Sequence, residues 1–184
     1  MINPAPTTRL GGQALKGRDS RELAFIAGRH LTWYRREHLL GRPNRSVRRL
    51  EDMFLAALRV ANPRRPRSPD VEQRVQPIAR SLQPLLDAAA VEKLQTLFQR
   101  FVEAGGRTNL TRWLAGAERT AVAAGALLAG DLFASKRMLE LEAGLPMTRL
   151  NPREVARAER EMLVFFTSAR CSSLRRRIGI AVTG

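Results

Sequence analysis

The chain has 184 residues, 44% of them hydrophobic, which is enough to bury a core in one domain with a tail. Its 32 basic residues stand against 17 acidic ones, a net charge of +15, and all the bases except Lys16, Lys93 and Lys136 are arginine. The single cysteine, Cys171, excludes an internal disulfide and a CxxC metal knuckle, and the longest uncharged apolar run, Thr120 to Gly130, is too short to cross a bilayer.

Residues 1–18 carry Pro4, Pro6, Gly11, Gly12 and Gly17 and read as a flexible lead-in without an apolar signal core. Asp19 starts a helix, with Glu22 as its capping-box partner, and Leu23, Ile26, Leu31, Tyr34 and Leu39 follow helical steps until Gly41-Arg42-Pro43 stops it. A second helix is expected over 46–61 with Val47, Leu50, Phe54, Leu58 and Ala61 in one stripe. Three prolines between Pro63 and Pro69, with arginines between them, make 63–69 an internal linker. Ser68 and Pro69 open a third helix, which Pro77 and Pro84 are expected to split into short pieces. An amphipathic helix follows over 88–104, with Val91, Leu94, Leu97, Phe98, Phe101 and Val102 inward, and Gly105-Gly106 ends it. The helix over 109–130 is apolar on most of its surface and is expected at the centre of the core. A shorter helix covers 132–143, and Asn151-Pro152-Arg153-Glu154 begins the last long one, to about Ala169. The basic tail, 172–184, leaves strand, frayed helix and disorder all open. The fold expected is therefore all-α, a single domain over 19–171 of about seven helices.

The first helix contains Phe25-Ile26-Ala27-Gly28-Arg29-His30-Leu31-Thr32-Trp33, and a later segment runs Glu118-Arg119-Thr120-Ala121-Val122 into Ala124-Gly125-Ala126-Leu127-Leu128. These two segments resemble the metal-binding helix and the downstream glutamate helix of HtpX-like (prenyl-protease-like) zinc metallopeptidases. A further likeness, in Arg21 to Phe25, Glu37-His38, Glu118 to Leu132 and Leu174 to Ala181, is to the non-catalytic relatives at the C-terminus of some bacterial tetratricopeptide-repeat proteins. An HExxH helix needs two histidines one turn apart on one ion and a glutamate between them as general base. Aligned on Gly28, those positions hold Arg29, His30 and Trp33, so the resemblance implies a dead site, no zinc and no enzyme. Glu118 keeps the third-ligand position, while the aspartate that usually follows is Val122. If the two helices pack as the resemblance implies, Arg29 stands opposite Glu118 and a charge-assisted pair replaces the metal. A rescued metal site would gather His30, Glu37 or His38, and Glu118; the plainer reading makes both histidines ordinary helix-face residues. Cys171 lacks a glycine-rich oxyanion turn and reads as incidental.

The positive charge is concentrated in residues 1–67, which hold 15 bases and 5 acids. Arg42, Arg45, Arg48, Arg49, Arg64, Arg65 and Arg67 flank the second helix and could neutralise phosphates in a salt-dependent way. Only 5% of residues are aromatic, so base-stacking platforms are scarce, and GC-rich coding alone would also favour arginine. The reading is a bacterial, cytoplasmic, metal-free binding or docking domain without cofactor. Its expected partner is a protein, with an acidic surface as the complement to its charge, and self-association stays open. Its binding residues, on this reading, are Arg29, His30 and Glu118. The second reading is a basic nucleic-acid-binding protein.

Overall fold

The computed structural model describes residues 11–41, 46–143 and 152–180, and every regular element in them is helical. In chain order these are α1 (Gly12–Leu15), α2 (Ser20–Thr32), α3 (Val47–Ala61), α4 (Pro69–Leu82), a 3-10 turn at Gln83–Leu85, α5 (Ala88–Glu103), α6 (Leu110–Ala129), α7 (Leu132–Ala143), α8 (Pro152–Phe166) and α9 (Ala169–Arg177). The all-α expectation holds. The helices gather into two compact units, one from Met1–Leu39 with Ala115–Gly184 and one from Leu40–Leu114. No described helix is long and apolar enough to cross a membrane.

In the first unit, α2 begins as the sequence predicts. The Asp19 carboxylate accepts from the backbone N–H groups of Arg21 and Glu22, and the Glu22 carboxylate accepts from that of Asp19 at 3.0 Å. Its end differs. The helix stops at Thr32 rather than near Leu39, because Trp33, Tyr34 and Arg35 donate to the carbonyls three residues back. That tightening turns Trp33 inward to 3% exposure, and burying an indole outweighs the lost helical turns. The imidazole of His38 lies 3.3 Å from the Thr32 carbonyl, which also accepts from the Arg35 N–H.

The core of this unit joins Phe25, Val122, Ala126, Ala129, Met138, Leu139 and Met162, with Ile26, Ala158 and Phe166 against it. The α6 face that enters it is made mostly of alanine and glycine, which lets another backbone come close. A Cβ at Gly28 would sit 2.5 Å from the Ala124 carbonyl oxygen, and one at Gly125 would sit 2.9 Å from that of Phe25. Nothing larger than hydrogen fits at this crossing of α2 and α6. The last long helix ends at Phe166 instead of Ala169. Ser168 interrupts it by accepting from the Cys171 N–H, and that cap starts α9, so the tail left open by the sequence is helical through Arg177. The Asn151 cap expected for α8 lies outside the described residues.

Asp131 caps α7 by accepting from the Ala134 N–H at 2.8 Å, and its second carboxylate oxygen meets Arg21. The backbone N–H of Ala134, more than Arg21, holds this carboxyl below its ordinary pKa. A carboxyl lowered in the native state contributes stability above its ordinary pKa and loses it as pH falls through the lowered value. Asp131→Ala is therefore expected to cost about 1 kcal/mol at pH 7. In urea titrations the gap from wild type narrows as pH drops below about 4.

In the second unit, α3 and α4 pack through Ala56, Val75 and Ala79, with Leu55, Val60, Val71 and Ile78 around them. Contrary to expectation, α4 runs unbroken through Pro77. The ring points to solvent, opposite the buried Val75 and Ala79, and their packing offsets the roughly 3 kcal/mol that an interior proline costs. Pro84 falls in the 3-10 turn. Helix α5 meets α3 through Phe54 and Phe101, whose rings cross edge to face at 5.3 Å. Two of the α5 residues expected inward, Leu97 and Val102, are half exposed.

Candidate functional site: an arginine between two glutamates

The two residues singled out by the sequence meet. Arg29 is 5% exposed, and its Nη2 donates to Glu118 Oε2 at 3.0 Å. Its Nε forms an ion pair with Glu142 Oε2 at 2.6 Å. The guanidinium therefore ties α2 to both α6 and α7. Each carboxylate keeps about a quarter of its side chain in solvent, so the cation is buried and the anions reach the edge. The third nitrogen, Nη1, is buried without a hydrogen-bond partner among the described residues. Such an arrangement can staple helices and donate a hydrogen bond. It cannot hold a metal through Arg29, because a guanidinium has no free lone pair.

Local sequence explains the placement. Gly28 is the closest-approach residue on α2, and the next residue, Arg29, lies on the buried side of that helix with Glu22, Phe25 and Thr32. Glu118 precedes Val122 by one turn on α6, and Val122 is in the core at 5% exposure. Glu142 is the member of this ion-pair cluster that the sequence did not single out. It sits in the last turn of α7, where a carboxylate is unfavourable to the helix dipole, and that mismatch was the signal available.

His30 turns to a neighbour on its own segment: its Nε2 lies 3.3 Å from the Tyr34 hydroxyl, with the two rings edge to face. Glu37 bonds Arg35 at 2.6 Å, and His38 faces the Thr32 carbonyl. Trp33, at the second-histidine position, is buried. The rescued metal site of His30, Glu37 or His38, and Glu118 is not assembled, and among the described residues no three His, Cys, Asp or Glu side chains are grouped to hold an ion.

The candidate phosphate-binding arginines divide. Arg48 and Arg49 are exposed on the first turn of α3, and Arg64 and Arg65 are exposed in the linker. Arg67 is engaged, donating to the carbonyls of Arg65 and Asn62 at 3.0 and 3.1 Å, with its pKa lowered by burial. Arg42 and Arg45 lie outside the described residues. In the basic run of α9, Arg175 is also committed. It donates to the carbonyls of Leu127 and Ile180, each at 2.7 Å, and its guanidinium occupies the space a Cβ at Gly130 would need. Gly130, at φ +62°, closes α6 in the left-handed conformation, and Arg175 covers one of the carbonyls left open there.

Cys171, on the buried side of α9, is 2% exposed, and burial pushes its thiol pKa above the ordinary value. Its reaction with a disulfide reagent at pH 8 is expected to be roughly tenfold slower or more in the native protein than in urea. Arg175→Ala, which frees α9, should recover much of that rate.

No protein-family model matches the chain, and no curated protein or solved structure matches it either.

Proposed function

We propose that this chain is a non-catalytic, cytoplasmic binding domain of bacterial type, built on a metallopeptidase-like helix pair and docking onto a protein partner. The observation that supports it most is the seat of Arg29. The residue at the first-histidine position is buried at 5% and bonded to Glu118, the residue at the third-ligand position. A permanently protonated guanidinium there repels a divalent cation and satisfies the one retained carboxylate. Glu142 supplies a second anion, so the cation is compensated from two helices. Catalysis would need a base and an open coordination position, and Arg29 provides neither.

The test is calorimetric titration of the purified full chain with zinc, beside a peptide-hydrolysis assay with zinc present. The expected result is no saturable binding and no hydrolysis. Stoichiometric zinc binding that disappears in Glu118→Gln would overturn the reading.

A second reading, binding to nucleic acid, draws on the exposed Arg48, Arg49, Arg64 and Arg65. It requires retention on a polyuridylate column that falls steeply with salt and weakens when these four are changed to glutamine.

A further inference from the structure

Helices α7 and α8 leave an open apolar cleft along their seam. It holds about 200 Å³, with the buried Met162 at its base and Leu132 and Leu163 on either side. Lys136, Glu159 and Arg160 complete the lining. Beside it stands Phe133, 85% exposed, three residues before Lys136 and so its neighbour on the surface of α7. Val164, 70% exposed, follows Arg160 by one turn and flanks the cleft on α8 in the same way. Leaving a phenyl ring in water forgoes roughly 1.5–3 kcal/mol of burial, so Phe133 contributes little to its own fold.

The protruding ring and the hole share one face. A cavity of about 150 Å³ lined by apolar side chains already accepts a benzene ring, so the cleft has room for a phenylalanine side chain. We propose that this face joins two copies of the chain about a two-fold axis, Phe133 of each entering the α7–α8 cleft of the other. A ring and a hole on different faces would instead link copies head to tail. The charges lining the cleft fit the same occupant. Lys136 is paired with Glu140 at 3.8 Å. That leaves one anion, Glu159, and one cation, Arg160, neither in an ion pair among the described residues. A two-fold axis can set Glu159 of one copy against Arg160 of the other, twice. An acidic partner would find no surplus cation here, although the chain as a whole carries +15. The inference goes beyond the docking reading above and does not depend on it.

The test is sedimentation equilibrium of the purified full chain over a range of concentrations and at two salt levels. A monomer–dimer equilibrium is expected. It should tighten with salt, because screening weakens the repulsion between two copies of net charge +15. Phe133→Asp should weaken the dimer roughly tenfold or more, with helix content by circular dichroism unchanged because the ring is exposed. Leu85→Asp, which changes a similarly exposed leucine of the second unit, should leave the dimer intact. Glu159→Arg and Arg160→Glu should each weaken it. The double exchange Glu159→Arg/Arg160→Glu should restore it, which a purely local role for either residue would not do. A chain that stays monomeric throughout would sink the proposal, as would a dimer indifferent to Phe133→Asp. Association that runs past the dimer into open chains would overturn the two-fold geometry. The docking reading keeps its own test in each of these cases.

Discussion

Glu118→Gln combined with Glu142→Gln is expected to cost the native state roughly 3–5 kcal/mol in urea denaturation at pH 7. Either substitution alone should cost only about 1–2 kcal/mol. The asymmetry follows from the geometry. Arg29 is bonded to both carboxylates, through Nη2 and Nε, so losing one leaves a compensated cation and losing both leaves a buried guanidinium with neutral neighbours. The penalties are therefore more than additive, and a double-mutant cycle measures the excess directly. Arg29→Met removes the buried charge and keeps the volume, and it should be milder than the double glutamine change. Both carboxylates are already about a quarter exposed and can hydrate. Strict additivity of the two glutamine variants would mean that Arg29 is neutralised by something other than this pair.

The second large effect lies one residue earlier. Gly28→Ala would set a methyl 2.5 Å from the Ala124 carbonyl oxygen and 2.9 Å from its carbon, and both are backbone atoms. A side chain could rotate away from such a clash; a helix backbone can yield only by separating α2 from α6. The expected loss is about 3 kcal/mol or more, at the upper end for overpacked cores. Gly125→Ala, which meets the Phe25 carbonyl and ring at 2.9 Å, should be similar in sign. Gly116→Ala on the same helix is the internal control. A Cβ there meets only the Arg119 guanidinium, at 4.0 Å, and the gain in helix propensity should make it neutral or up to about 1 kcal/mol stabilising. Thermal melts of the three variants separate steric crowding from a general intolerance of glycine replacement.

Local chemistry was legible in the residues. The Asp19–Glu22 box, Ser68-Pro69 at the start of α4 and Gly130 at the end of α6 put helix ends where the structure has them. The pairing of Arg29 with Glu118 was legible too, though only by setting two distant segments side by side. The features that were not legible depend on tertiary packing or on a single weak signal. Leu39 continues the apolar spacing of α2, yet Trp33 leaves the helix because the interior accepts an indole there. The break after Phe166 carries no proline or glycine, and it rests on one serine, Ser168, whose hydroxyl captures the Cys171 N–H. A lone serine inside a helical pattern is ordinary, so nothing in the spacing marks that position as a cap. Glu142 could be placed against Arg29 only once the packing of α7 on α2 was known.

The division of the chain has a kinetic consequence. The unit at Leu40–Leu114 is contiguous, whereas the other needs Met1–Leu39 to find Ala115–Gly184. A polypeptide emerging from the ribosome can complete the contiguous unit while α2 is still without α6, α7 and α9. During that interval Arg29 is solvated and Phe25 lacks its core neighbours, so α2 waits as an amphipathic segment with its apolar side open. Ordering it requires closing a long intervening loop, whose cost grows only slowly with length. Vectorial synthesis thus lets the arginine seat form only after α6 and α7 have emerged, later than the contiguous unit.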